Sequence, residues 1–276
     1  DNEGLKTLNF MSRMGFGKGE LHQITAEQAK DSFRSYQDAK ADRQEFLSKT
    51  DPTETEVQAE QERQSKQALI LISNNHPEFD ISSERLDKLK EQGIENIFVM
   101  QVDSEKMLET GDNNPIKKLA DEVGGFGLLI DGGHGGEKDP SIIFGTVDHK
   151  GIEDQDRVSA SEMRENSPIA ELYQNKDIFV EGFSHISLSC NFAGNENISK
   201  ENSMQAQFQN LRPDADVNGP TGNVPSFSSF SIDDGKLTHS NIQNENGDPI
   251  ELELLASNGT DFDFESSRSE ADLLEV

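Results

Sequence analysis

Short apolar runs alternate with stretches of helical periodicity through the middle of the chain. Residues 68–73 (ALILIS) form a continuous apolar run, the pattern of a strand buried on both faces. Residues 83–92 place Leu86 and Leu89 on one side and stop at Gly93, which predicts a helix. A second strand follows at 96–102 (NIFVMQV). Asn114 and Pro115 then open a helix carrying Ile116, Leu119 and Val123, and 126–130 (FGLLI) is a third strand. Residues 142–147 read as a strand or hairpin arm, 159–174 as a helix, 185–189 (HISLS) as a strand, 201–210 as a helix and 224–232 as extended chain. Strands alternating with helices predict an α/β fold with a mostly parallel central sheet and helices on both faces.

The flanks differ. Upstream, Thr25 and Gln28 make a capping box for a helix over 25–49 with Ala29, Phe33 and Tyr36 on its apolar side. Asp51 and Pro52 suit the start of a further helix running to residue 67, with few apolar residues beyond Val57 and Ala59, which is expected to lie mostly in solvent. Residues 1–66 therefore read as a helical lead-in whose apolar stripe is too thin for its own core. Downstream of residue 240, ten acidic side chains face one base, Arg268, so 241–276 reads as an acidic tail, mobile or draped on the surface. The core is expected in 67–240. Of the 65 Leu, Ile, Val and Phe residues, 36 fall within 68–192.

Charge narrows the partners. With 53 acidic and 25 basic side chains the formal charge is −28, which excludes a nucleic-acid binder working by general electrostatics and favours a protein or peptide partner. The longest unbroken apolar run, residues 68–72, is far short of the roughly 20 residues that span a bilayer, so no membrane span is expected. The chain opens Asp-Asn-Glu-Gly with neither a signal-peptide pattern nor an initiator Met, as a fragment or processed piece of a longer chain would. One cysteine and no paired histidine spacing give no expectation of a zinc site, and no cofactor is implied.

Parallel sheets place reactive residues just beyond the carboxyl ends of their strands, and two loops here stand out by that rule. In the first, the run 126–130 leads through Asp131 into His134, bracketed by Gly132, Gly133, Gly135 and Gly136; glycines there allow close backbone approach and uncover peptide N–H groups. In the second, the run 185–189 ends on Cys190, the only thiol. A cysteine nucleophile needs an imidazole to take its proton and donors aimed at the developing oxyanion. His134 as base and then acid, Cys190 as nucleophile, and the N–H groups of Gly135 and Cys190 as oxyanion hole meet that need. Asp131 either lines the substrate cleft or forms a turn. Three readings stay open on residues alone: a cysteine peptidase, a thiol hydrolase or transferase acting on another substrate, and a non-catalytic acidic interaction module with a buried, inert Cys190. His185, five residues before Cys190 on an extended chain, would sit roughly 16 Å from it and is a poor base. His22, His76, His149 and His239 have no identifiable partners, and the acidic–aromatic run 261–265 lacks calcium-loop spacing.

An apolar block before His-Gly, followed downstream by an apolar block before Cys, resembles the signature of the caspase-like clan of cysteine peptidases, which includes caspases, legumain, clostripain, gingipains and separase. The chain is most similar to the self-cleaving cysteine peptidase domains of large bacterial toxins of the RTX type, at LLIDGGHG (128–135), SASEM (159–163), ISLSC (186–190), and 217–224 with 233–235. The resemblance covers roughly 68–236. It implies a three-layer caspase-like, or hemoglobinase-like, fold preceded here by the helical segment, and a thiol protease with His134 and Cys190 as the dyad, Gly135 as oxyanion donor and no obligatory third member. Arginine-specific relatives carry an acid two positions before the cysteine. This chain has Leu188 there, which implies an apolar residue at the cleaved position and places Leu188 with Asp131 among the substrate-binding candidates. The toxin domains are switched on by inositol hexakisphosphate in a Lys/Arg cluster. Only Lys200, Arg212 and Lys236 lie between Cys190 and the tail, so activation by that ligand is not expected here. The expected activity is a hydrolase, a cysteine endopeptidase autoprocessing its own parent chain or cutting another protein, in a secreted bacterial toxin or effector delivered into a host cell.

Overall fold

The computed structural model describes residues 2–16, 25–73, 83–102, 105–136, 138–143, 157–163, 166–189, 192–194, 197–219, 230–233, 236–243 and 249–253. It begins with three helices, α1 (Asn2–Arg13), α2 (Ala26–Leu47) and α3 (Glu54–Ser65). Thr25 caps α2 through the expected box, its hydroxyl accepting from Gln28 N–H while Gln28 Oε1 accepts from Thr25 N–H. The cap of α3 is not Asp51. Thr53 and Glu56 form a second reciprocal box that starts the helix at Glu54, and the helix stops at Ser65 because Gln67 is already strand. The first helix falls inside the expected helical lead-in, although it is not itself predicted as an element: Phe10 and Met11 lie on its buried face, Met14 is buried just past its end, and Phe10 stacks on Tyr36 of α2 at 4.7 Å between ring centres. The lead-in packs on the sheet domain, and buried side chains from Phe10 to Val217 form one contiguous cluster.

The alternating middle follows as β1 (Gln67–Ser73), α4 (Ser83–Glu91), β2 (Asn96–Val102), α5 (Pro115–Val123) and β3 (Phe126–Gly132). Asn114 caps α5 by accepting from Lys117 N–H, and its amide also donates to the carbonyls of Met107 and Glu109. Then come β4 (His134–Gly135), β5 (Ser141–Ile143), β6 (Arg157–Ser159), α6 (Pro168–Gln174), β7 (Phe179–Ser187), α7 (Met204–Leu211) and β8 (Asp216–Asn218). The central sheet has five strands in the order β2-β1-β3-β7-β8, every neighbouring pair parallel. Helices flank it, giving the α/β layers that the alternation of elements predicts. Placing β3 beyond β1 from β2 reverses the direction in which strands are added, so the switch point, where open α/β sheets bind ligands, falls between the carboxyl ends of β1 and β3.

Two sequence expectations are corrected in this part of the chain. Residues 159–174 are not one helix: Ser159 pairs with Ser141 in β6–β5, Asn166 takes φ +68°, and Ser167 caps a short α6 with Pro168 at its first turn. The strand leading toward Cys190 begins at Phe179 rather than His185, so His185 lies inside a nine-residue strand. Beyond β8, β9 (Phe230–Asp233), β10 (Lys236–Gln243) and β11 (Pro249–Glu253) pair antiparallel in a separate sheet, so the acidic segment is strand at 241–243 and 249–253. Parts of the strand readings at 142–147 and 224–232, and residues 254–276, lie outside the described residues. Among the described residues no helix is long and apolar enough to cross a membrane.

Candidate active site

Strands β3 and β7 lie side by side at the centre of the sheet, with Leu129 opposite His185, Ile130 opposite Ile186 and Asp131 opposite Ser187. The ladder continues one residue further, because Leu188 N–H donates to the Asp131 carbonyl at 2.8 Å. Apolar content drives this central position: Phe126, Leu128, Leu129, Ile130, Phe179, Phe183 and Ile186 are all buried.

Past β3, the His134 and Gly135 backbone does not form an open loop. It pairs antiparallel with β5, His134 opposite Ile143 and Gly135 opposite Ile142, and β5 pairs in turn with β6. Gly136 closes the connecting turn, where a Cβ would meet the Asp139 carbonyl oxygen at 2.1 Å. This small sheet fixes the course of the chain at His134; the imidazole itself is outside the described residues, as is Cys190. The described chain reaches Ser189, which is buried. The structure therefore brings the strands that lead to His134 and Cys190 together at one edge of the sheet, beside the switch point.

Asp131 is turned inward and is only 4% exposed. Its carboxylate accepts from His185 Nε2 at 2.7 Å and from the Ser187 hydroxyl. The other ring nitrogen of His185, Nδ1, faces the Tyr173 hydroxyl of α6 at 2.9 Å. One assignment of protons satisfies the whole chain: Tyr173 O–H donates to Nδ1, Nε2–H donates to Asp131, and Ser187 O–H donates to the other carboxylate oxygen. Burial, with the Asp131 charge as second cause, pushes the Tyr173 phenol well above its ordinary value, which keeps the hydroxyl a donor. Beside Asp131 a cavity of about 40 Å³, lined by Leu71, Leu129, Ile142, Tyr173 and Phe208 among others, lies between strand residues and residues of α5, α6 and α7.

This constellation is not itself a nucleophilic triad. Ser187 bonds the carboxylate, not the imidazole, so His185 cannot take its proton, and both side chains are fully buried. Sequence reasoning read Asp131 as a cleft or turn residue and set His185 aside. The signal it passed over is parity: His185 and Ser187, two apart in an apolar strand, share one face and need buried partners. Leu188 is half-buried, its side chain packed against the core. Arg212 is committed elsewhere, its guanidinium donating to the carbonyls of Tyr173, Phe179 and Val180 and to Asp214. Two more buried polar groups sit at this edge of the sheet. Ser189 Oγ and Asn218 Nδ2, the latter at the end of β8, have no hydrogen-bond partner among the described residues. No group of three or more His, Cys, Asp or Glu among the described residues is placed to hold a metal ion.

Comparison with known proteins finds no matching family model, no matching curated protein and no matching solved structure.

Proposed function

We propose that the chain is a cysteine endopeptidase of the caspase-like type, with His134 and Cys190 as its dyad. The observation that carries this reading is the register of β3 on β7. Asp131 pairs with Ser187 near the ends of two adjacent parallel strands, and His134 and Cys190 each follow three residues later in the sequence. The carboxyl ends of such strands are where parallel sheets assemble reactive groups.

In this reading His134 draws the proton from Cys190, and the thiolate attacks the carbonyl carbon of the scissile peptide. The peptide N–H groups of Gly135 and Cys190 donate to the resulting oxyanion. His134 returns its proton to the departing amine, leaving a thioester on Cys190. A water molecule, deprotonated by His134, hydrolyses that thioester and regenerates the thiol. Leu188, standing where arginine-specific relatives carry an acid, favours an uncharged side chain at the cleaved position. The substrate is a protein or peptide, and self-cleavage within a larger secreted toxin or delivered effector is the setting that the resemblance of the motifs suggests.

The test is incubation of the purified chain beside its Cys190→Ala variant, followed for self-cleavage and for labelling by a thiol-reactive peptide probe. Wild type is expected to cleave or label and the variant to do neither. Equal behaviour of the two would remove the proposal.

A further inference from the structure

The geometry points to Asp131 as a positioning residue that, through Ser187 and His185, sets how the end of β7 meets the end of β3, and so where Cys190 emerges relative to His134. The inference rests on the peptidase reading for its consequence, but its physical basis lies wholly in described residues. Asp131 stands three positions before His134, and Ser187 three positions before Cys190. The side-chain bond between them is a cross-strand tie at the last paired position of the two strands.

The tie is held from behind. His185, one inward-facing position earlier on β7, donates to the second carboxylate oxygen at 2.7 Å, and Tyr173 of α6 fixes that imidazole from its far side at 2.9 Å. It is also extended forward, since Ser187 Oγ accepts from Ser189 N–H at 3.3 Å, reaching the residue before Cys190. Each group in the series has one orientation that satisfies its neighbours. A buried carboxylate that loses a donor keeps its desolvation cost, so the arrangement resists partial opening. Stability alone does not account for a carboxylate here: the surrounding layer of Leu71, Leu129, Phe179 and Phe208 is apolar, and buried ionic groups rarely outperform hydrophobic packing. Orientation is what a carboxylate with directed donors supplies and a leucine does not.

The experiment uses the full chain, in which Cys190 is the only thiol, so alkylation by iodoacetamide reports on that residue alone. Its rate is measured against pH in wild type, Ser187→Ala, Ser187→Thr and Tyr173→Phe, with turnover of a peptide substrate and a thermal melt for each. Wild type is expected to show an alkylation midpoint below the roughly 8.5 of an unperturbed thiol. Ser187→Ala is expected to raise that midpoint and to lower turnover on the order of tenfold or more with KM within about twofold, as misplacement of reacting groups does. Ser187→Thr, which keeps the hydroxyl, should stay close to wild type, and Tyr173→Phe should fall between. If Ser187→Ala does not fold, Tyr173→Phe, which removes a single oxygen, carries the test. Variants that melt lower but keep both midpoint and turnover would reduce Asp131 to a structural group and overturn the inference alone. A wild type with an unperturbed midpoint and no cleavage would overturn the peptidase reading, and the inference with it.

Discussion

The two ends of the central sheet handle their buried polar groups in opposite ways. At the amino-terminal edge most groups are matched, with Arg43 Nε and Gln209 Oε1 as buried exceptions. Arg63 donates to Glu60 and to the Val123 carbonyl, Gln67 donates to the carbonyls of Val123 and Gly125, and Gln64 accepts from Gly125 N–H. Arg43 reaches across from α2 to the same Glu60 at 2.9 Å. At the carboxyl edge the Asp131 chain is fully bonded, but Ser189 Oγ, Asn218 Nδ2 and both side-chain polar atoms of Gln101 near the end of β2 find no partner among the described residues. Buried groups left unpaired cost stability, and natural proteins keep few of them. Four such atoms lie where α/β sheets bind ligands, against Arg43 Nε and Gln209 Oε1 near the opposite edge, which separates a more tightly bonded end from one with more hydrogen-bonding capacity to spare.

The largest expected effect lies at the rigid end. Gly127 in β3 faces the end of α3 so closely that a Cβ would meet the Ser65 carbonyl oxygen at 2.1 Å, and its neighbours there are backbone atoms that cannot swing aside. Gly127→Val is expected to cost about 3 kcal/mol or more in urea denaturation, at the upper end of overpacking effects, because α3 must lift from the sheet. A variant as stable as wild type would mean that this edge yields, and the contrast between the ends would lose its basis.

Next in size is Glu60. Burial alone would raise its carboxyl, but hydrogen bonds from Arg63 and Gln64 and the charge of Arg63 hold it below its ordinary value of 4.5. Glu122, bonded by Arg13 and Tyr36, is lowered against burial in the same way. A carboxyl whose folded pKa is depressed contributes stability that is present above the unfolded value and is lost as pH falls through the folded one. Stability is therefore expected to decline as pH drops below about 4.5. Glu60→Ala should remove about 2 kcal/mol at neutral pH, since it strands Arg63 and Arg43, and it should flatten the acid decline. Denaturant midpoints of both proteins between pH 7 and pH 3 would check it, and parallel acid declines would show that Glu60 is not the group responsible.

The sequence made the rigid end easier to read than the carboxyl one. Continuous apolar runs mark β1, β2 and β3 because strands buried on both faces have no polar face to disguise them. Thr25 and Asn114 were legible as caps because their partners lie within three residues. Interactions between segments far apart in sequence were not legible. Ser159 pairs with Ser141 in a long-range ladder that the local pattern of the chain does not announce. Thr53 outcompetes Asp51 because Glu56 completes its box, a choice between two acceptable caps that local pattern leaves open. At the candidate site the strand ends of His134 and Cys190 were readable as motifs. The tie between Asp131 and His185, 54 positions apart, depends on the register of two strands and on which face each residue takes.

The smallest predicted effect is the sharpest probe of the carboxyl edge. Ser189 is fully buried, and its hydroxyl has no partner among the described residues, whereas its backbone N–H is bonded to Ser187 Oγ. Removing the hydroxyl breaks no bond and relieves a desolvated oxygen, so Ser189→Ala should change stability by no more than about 0.5 kcal/mol and in the stabilising direction. The matched substitution at the opposite edge, Gln67→Ala, removes bonds to the carbonyls of Val123 and Gly125 and should cost about 2 kcal/mol. Both side chains are buried in strands or at a strand's end, so exposure and propensity do not separate them, and the difference isolates hydrogen-bond satisfaction. Equal losses in urea denaturation would mean that Ser189 is bonded after all and that the two edges are built alike.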